Sequence, residues 1–391
     1  MQAFTHWIEI DLDALVYNFH SIRQALPGHL KILAVVKADG YGLGGGPVAK
    51  LFENEGVDML GVTHLAEGIL LRREGVTAPV LLFAPLLPQE AGEAARYRLT
   101  PTVDSLETAR ALQEALAPGQ VLDVHIKIET GMGRTGLKPA EVLPFCRRLL
   151  EECPGLRLEG LYTHFARPAP GDTFTQQQLT LFKTAIESLQ AAGIEIPLKH
   201  AAGSTAALVL PEAHFDMVRL GTVLYGQKPP AVRNSLSLRN PWQPKARILH
   251  IQELPKGAGV GYGRDYRLKK ATRIGVIPYG YADGLGVTAV ARPKNLGDLM
   301  KTLVKTVLAY WGKGPQALGV RSGEHWLPIV GRIGMQLSMI EIGDLPLKEN
   351  DIVSVPLGRI TASPDLPRVY LREGQVVAVR TPARQAVSRN I

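Results

Sequence analysis

The sequence predicts an α/β protein with an N-terminal (β/α)8 TIM-type barrel and a smaller, mainly β C-terminal domain. Three observations predict it. Strand-like and helix-like segments alternate through the first part of the chain, giving about eight β-α steps in roughly 230 residues, a size that suits such a barrel. No G-x-G-x-x-G follows the first strand-like run at residues 7–12, which leans against an open doubly wound sheet. Around residues 228–244 the texture changes. Pro229, Pro230, Pro241 and Pro244 lie among polar residues there, and short β-like runs follow. The expected domains are therefore a barrel over 1–232 and a β-rich domain over 233–391, with a helical insertion near 295–311.

The elements follow in order. Residues 7–12 read as a short strand, and Asp11 is placed to cap a helix over 12–26 that stops at Pro27-Gly28. Residues 30–36 hold the unbroken apolar run Ile32-Leu33-Ala34-Val35-Val36, the mark of a strand covered on both faces. A helix over 47–55 is opened by proline. Strand 59–63 precedes helix 66–74, which Gly75 closes. Strand 79–83 and helix 88–97, then strand 100–103 and helix 105–116, continue the series. Strand 121–129 and helix 139–152 follow, then strand 156–163 and helix 173–192. A weak strand at 198–201, a short helix at 204–209 and strand 215–220 close it. Beyond the linker, residues 245–253, 273–279, 326–330, 336–341 and 352–355 read as strands. Residues 295–311 break the pattern, because Leu296, Met300, Leu303 and Val307 recur at helical spacing. This segment reads as a surface insertion.

Composition narrows the function classes. The chain has 391 residues, of which 46% are hydrophobic and 20% charged, as in a globular protein. The net charge is +8, but the Lys and Arg residues are dispersed. No basic run with interleaved aromatics appears, so no nucleic-acid partner is expected. A basic surface can equally draw in anionic small molecules. Two cysteines make no disulfide framework and fit a reducing compartment. Residues 1–13 lack a leader layout, and no apolar run reaches spanning length. The expectation is a cytoplasmic protein with no membrane partner.

In a barrel, chemistry sits at the carboxyl ends of the strands. Lys37, His64, His164, Ser204 and Arg219 fall there. Lys37 ends the first apolar run and is followed at once by Ala38-Asp39-Gly40-Tyr41-Gly42. A half-buried lysine can lose its proton near neutral pH, and the free amine can attack a carbonyl as a Schiff-base lysine. The alternative is an ordinary strand-end lysine in solvent. The stretch DVHIKIETGMGRTG over 123–136 places Lys127 mid-strand and Arg134 on a glycine-rich turn. An arginine fork there suits a carboxylate, or else a surface salt bridge. An inward Lys127 needs a partner or a modification. His164 is either a hydrogen-bonded structural residue or a base. The histidines lack metal-ligand spacing, and no metal is expected. Gly221 and Thr222, joined by Ser204, can offer donors to a phosphate after strands seven and eight; each loop alone is an ordinary turn. Tyr262 and Tyr281 lie on glycine-flanked turns. Tyr262 becomes an acid or base only if something, such as a nearby cation, lowers its pKa from about 10.

The segments AVVKADGYGLG and IKIETGMGRTG, joined in order by THFA, RLGTVLYG, GYADG and IVGRIGM, resemble those of the alanine racemases, a barrel-type pyridoxal-phosphate family. The resemblance runs from residue 7 to residue 370. It implies that Lys37 binds pyridoxal 5'-phosphate and is the base on one face of a small amino-acid substrate. Tyr262 matches the base of the opposite face, supplied by the second subunit of a homodimer. Arg219 matches the residue facing the pyridine nitrogen, and His164 a link between Arg219 and the tyrosine. Tyr41, Ser204, Gly221 and Thr222 fall at phosphate positions. Arg134 and the backbone at Met335 fall at the substrate carboxylate, Lys127 at a lysine carbamylated in some members, and Tyr281 at the entrance. The implied reaction is conversion of L-alanine to D-alanine, a peptidoglycan precursor.

The chain departs from the family in several places. Gln336 follows Met335 where aspartate is usual, and Gly203 stands where asparagine precedes the serine. Val287 replaces an arginine region, the C-terminal phosphate tyrosine has no clear counterpart, and residues 295–323 are inserted. These departures bear on substrate choice, so a broader racemase accepting serine or larger amino acids is the alternative. A basic amino-acid decarboxylase is a further alternative, but Gly44-Gly45-Gly46 is misplaced for its phosphate triplet. A non-catalytic pyridoxal-phosphate-binding barrel would lack Tyr262 and the second domain.

Overall fold

The protein is described by a computed structural model over residues 4–232, 236–287, 293, 295–310 and 318–381. It divides into two compact units, one of Leu12–Pro241 and one of Met1–Asp11 with Trp242–Ile391.

The first unit is the barrel. Its eight strands are Lys31–Val35, Met59–Val62, Val80–Pro85, Thr100–Val103, Leu122–Lys127, Leu156–Tyr162, Leu198–His200 and Met217–Leu220. They are called the first to the eighth strand below. Neighbours in sequence are neighbours in the sheet, and every pairing is parallel. The first strand also pairs with the eighth, with Leu33 opposite Arg219. The seventh and eighth meet through a bridge between Gly203 and Arg219 and a 2.9 Å bond from Arg219 N–H to the Ala202 carbonyl. Leu33, Val35, Met59, Leu81, Leu198 and Met217 fill the interior, while helices cover the outside. That double coverage is why the first three strands are apolar at nearly every position. Two of the connecting helices start on a short polar side chain that caps them, Ser105 and Asp172. Asp172 accepts the Thr175 N–H at 2.8 Å ahead of Thr173–Ala191.

Two boundaries differ from the sequence reading. The strand expected to open the barrel, His6–Asp11, lies in the sheet of the second unit. It pairs antiparallel with Trp242–Arg247 and parallel with Arg368–Arg372. The short strand read at residues 7–12 is present, and its Trp7, Ile8 and Ile10 are buried, but a strand pattern carries no information about which sheet it joins. The second change runs the other way. Residues 236–241, expected in the β domain, belong to the barrel unit, while 233–235 of that expectation lie outside the described residues. Buried Asn18 holds this stretch down. Its amide donates to the Leu224 and Arg239 carbonyls at 3.0 and 2.8 Å and accepts the Arg239 N–H at 2.7 Å.

The second unit is mainly β, as expected. Its described strands form a ten-stranded sheet, beside a two-stranded hairpin of Gly259–Val260 and Tyr266–Arg267. Val260, Leu268, Ile274 and Val330 form one buried cluster. The expected insertion is the helix Leu296–Tyr310, whose Leu296, Met300, Leu303 and Val307 are exposed. Residue 311 of that expectation lies outside the described residues.

Candidate active site

Lys37 sits just past the first strand, where the backbone turns the wrong way round. Ala38, Asp39, Gly40 and Tyr41 have φ of 51°, 55°, 62° and 54°, one turn of left-handed helix. Such a turn costs about 1–2 kcal/mol per non-glycine residue, so its surroundings must hold it. The Glu67 carboxylate accepts the Ala38 N–H at 2.6 Å and the Thr63 and His64 N–H groups at 2.9 and 3.0 Å. Asp39 accepts the Gly45 N–H at 2.8 Å, and the Gly42 N–H closes the turn on the Ala38 carbonyl at 2.9 Å. The Tyr41 ring packs on Tyr225 with centroids 4.6 Å apart. Lys37 is thus half-buried on a rigid mount. Burial and the Arg134 cation push its amine below the ordinary lysine value, against the pull of Glu67.

A cavity of about 460 Å³ opens at this end of the barrel. Lys37, Tyr41, Lys127, Arg134, His164, Ser204, Arg219, Gly221 and Thr222 all line it, so the structure brings together every barrel residue that the family resemblance singled out. His64 is not among them. It stands at the start of helix Leu65–Arg73, and its N–H is spent on Glu67.

Arg219 is buried in the barrel, and four of its five N–H groups are spent inside. Nη1 donates to His200 Nδ1 and to the His200 carbonyl at 2.8 and 3.0 Å. Nη2 reaches the Thr163 and Ala201 carbonyls at 2.7 and 2.9 Å and His164 Nδ1 at 3.1 Å. The Nε–H has no partner among the described residues and is the donor left for a ligand. Burial and the Arg219 and Arg134 cations hold His164 down to about 3, so it is a neutral acceptor here. Lys127 is buried, and its ammonium donates to the Thr135 hydroxyl at 2.6 Å. Burial first, and Arg134 second, lower its amine to about 8. Glu129 shapes the loop that presents Arg134, accepting the Gly131 and Arg134 N–H groups at 2.6 and 3.0 Å.

Ser204 and Gly221 meet directly, with the Gly221 N–H on Ser204 Oγ at 2.9 Å. The bond uses Ser204 as acceptor and leaves its O–H to donate. A Cβ at Gly221 would stand 2.5 Å from the Tyr41 hydroxyl, so only glycine lets these three groups converge. A Cβ at Gly203 would stand 3.1 Å from His164 Cε1, so the glycine found there leaves room beside His164.

The other three sequence candidates lie in the second unit. Tyr262 is 74% exposed on a turn between Gly261 and Gly263, whose φ are 76° and 71°. The Tyr281 N–H donates to the Gly334 carbonyl and the Ala282 N–H to the Met335 carbonyl, both at 3.0 Å, so Tyr281 and Met335 sit on adjoining turns. Among the described residues no group of three or more His, Cys, Asp or Glu is placed to hold a metal ion. No described helix is long and apolar enough to cross a membrane. Sequence reasoning missed Glu67, Tyr162, His125, His200 and Glu159. Tyr162 and His200 carried a usable signal, a strand-end position.

The pattern for the N-terminal domain of alanine racemase matches residues 10–229, and that for its C-terminal domain matches 242–364. The chain belongs to the alanine racemase family. The alanine racemase of Halothermothrix orenii is 35% identical over 343 residues, covering 87% of this chain and 84% of that relative. The alanine racemase of Clostridium tetani is 33% identical over 402 residues, covering 96% and 97%. Among solved structures, the alanine racemase of Clostridium difficile 630 matches with a TM-score of 0.84 and 30% identity, covering 97% of this chain and 99% of that one. The alanine racemase of Bacillus anthracis with bound L-Ala-P matches with a TM-score of 0.81 and 28% identity, covering 96% and 97%. Members of the alanine racemase family are pyridoxal-phosphate-dependent isomerases, which agrees with a cavity that sets a half-buried lysine amine among cationic side chains.

Proposed function

We propose that this chain interconverts L- and D-alanine with pyridoxal 5'-phosphate as cofactor, working as a homodimer. The observation that carries the reading is Lys37, whose depressed amine is held on a strained, fully tethered turn in the same cavity as Arg219. The donor set fits the cofactor. Lys37 would hold it covalently. Tyr41, Ser204, Gly221 and Thr222 would take its phosphate, and the unspent Arg219 Nε–H would face its ring nitrogen. Pyridoxal phosphate in this site supplies the electron sink that makes a Cα proton removable.

The chain's own groups do the rest. Lys37 Nζ takes or returns the proton on one face of the substrate, and Tyr262 of the partner subunit does so on the other. Two bases on opposite faces suit racemisation, since each direction needs the pair in the opposite protonation state. Arg219 holds its proton, so the ring nitrogen gains none from it. Arg134 and the backbone at Met335 bind the substrate carboxylate, Tyr281 narrows the entrance, and Lys127, as a carbamate, steadies Arg134.

The test is direct. The purified protein is loaded with pyridoxal phosphate and incubated with L-alanine in deuterated water. D-alanine carrying deuterium at Cα is expected. Release of carbon dioxide would indicate a decarboxylase, and cofactor absorbance without exchange would indicate a binding protein; either result overturns the proposal. The open space beside His164 at Gly203 favours one second reading, a broader substrate range. A kcat/KM for L-serine that matches or exceeds that for L-alanine would establish it.

A further inference from the structure

Behind Arg219 the barrel holds a continuous line of polar groups that the reading above does not use. Arg219 Nη1 lies 2.8 Å from His200 Nδ1. His200 Nε2 lies 3.0 Å from His125 Nδ1, and His125 Nε2 lies 3.2 Å from Glu159 Oε2. Both imidazoles are completely buried, while the Glu159 side chain is 22% exposed at the far end.

The direction of every proton follows from the end that cannot accept one. A guanidinium only donates, so His200 Nδ1 is the acceptor and its proton sits on Nε2. That proton meets His125 Nδ1, which must then accept, leaving the His125 proton on Nε2 to meet the Glu159 carboxylate. The hydrogen bond at one ring nitrogen sets the state of the other, and here two rings are set in series. The Tyr162 ring stacks on His200 at 4.8 Å and 10° and fixes its plane. Burial and the Arg219 cation keep His200 neutral, and the His125 hydrogen bond helps keep Glu159 charged.

The backbone is built to make this line. The fifth and sixth strands slip register here, with Val124 opposite Leu158 but His125 opposite Gly160. Glu159 is the extra residue of a bulge, a device that re-aims one side chain and is rare between parallel strands. A Cβ at Gly160 would stand 2.3 Å from His125 Cε1, so only glycine there leaves space for the ring. His125 is the one hydrogen-bond partner of the Glu159 side chain among the described residues.

We propose that Glu159, His125 and His200 form a tautomer-locked relay that positions Arg219 and supplies its counter-charge from across the barrel. All three are positioning residues. The relay holds the guanidinium by Nη1 so that Nε–H stays turned to the cavity. Its catalytic meaning rests on the racemase reading; its proton pattern does not.

The experiment uses holoenzyme labelled with 15N in its histidine rings and read at neutral pH by long-range proton–nitrogen correlation. His200 and His125, assigned through His200→Asn and His125→Asn variants, are each expected to be protonated at Nε2 alone. A proton on Nδ1 of either ring, or on both nitrogens, overturns the relay. Glu159→Gln keeps an acceptor and is expected to keep both tautomers. Glu159→Leu removes it, and is expected to shift the His125 signal and lower kcat on the order of tenfold, as for loss of a buried hydrogen bond, with KM little changed. The expected tautomers in the wild type with an unchanged kcat in Glu159→Leu would overturn the positioning role. If the wild type does not racemise alanine, the functional reading fails and the spectrum alone decides the relay.

Discussion

The barrel mouth and the tyrosine turns of the second unit carry the two halves of the proposed acid–base pair, and they are built in opposite ways. At the mouth, Lys37, Lys127, Arg134, His164 and Arg219 share one cavity. Three of them have strongly moved acidities, with Lys127 near 8, His164 near 3 and Arg219 near 10. Burial is the first cause each time, and neighbouring cations add to it. Tyr262 stands 74% exposed, and no described residue hydrogen-bonds its hydroxyl. A buried group inherits its chemistry from its own fold. An exposed one acquires it only from whatever binds over it. The cost of strain differs in degree: the Lys37 turn uses three non-glycine residues with positive φ, whereas the Tyr262 turn uses Gly261 and Gly263 and only one such residue, Arg264.

Four measurements break or sharpen this contrast. The largest effect is expected from Lys37→Ala, which should lower racemisation on the order of 10³-fold or more by removing both the cofactor's anchor and one base. A variant of near wild-type rate would end the assignment. Tyr262→Phe should slow interconversion by roughly 10²-fold or more. It should still allow Cα exchange with deuterated water from one enantiomer but not the other, seen by proton NMR; equal exchange from both would remove Tyr262 as a base. Gly221→Ala places a methyl 2.5 Å from the Tyr41 hydroxyl. It should weaken pyridoxal phosphate binding by about 1–3 kcal/mol, the usual cost of overpacking, and Tyr41→Phe should recover part of that loss in the double variant. Simple additivity in that cycle would place the clash elsewhere.

The smallest effect concerns Lys127 in buffer free of carbon dioxide. Its amine is lowered from 10.5 to about 8. Well below pH 8 both folded and unfolded chains hold the proton, and the buried charge costs stability in full. Between pH 8 and 10.5 the unfolded chain still holds a proton that the folded one has shed, so the cost falls as pH rises. Tm should therefore gain a component that grows across that window and is missing in Lys127→Met. A free amine near pH 8 is also what carbamylation needs, and 13C-bicarbonate should give a carbamate signal that the same variant lacks.

Much of the site was legible because a parallel barrel writes itself plainly. Ile32–Val36 is continuous because both faces are covered, and Lys37, His164, Ser204 and Arg219 stand out because a polar residue ending such a run has to face the mouth. The left-handed turn was harder to read. Glycines announced a bend, but Ala38, Asp39 and Tyr41 adopt positive φ only because Glu67 and Asp39 hold the surrounding N–H groups. His125 and Glu159 were hidden altogether. Their meeting depends on a one-residue register slip and on Gly160, and neither leaves a periodic trace. The strand His6–Asp11 was recognisable as a strand, but its sheet was not, because its partners lie more than two hundred residues downstream.

That last strand has a consequence for the order of synthesis. His6–Asp11 leaves the ribosome well ahead of its two neighbours, Trp242–Arg247 and Arg368–Arg372, which lie more than two hundred residues downstream. For most of translation this apolar strand has both edges bare, the condition under which strands pair with the wrong chain. The barrel, whose strands all pair with close neighbours in sequence except at its closure, can form while that segment waits. The nascent polypeptide is therefore most vulnerable at this strand, and a chaperone that shields emerging strands would act there to greatest effect.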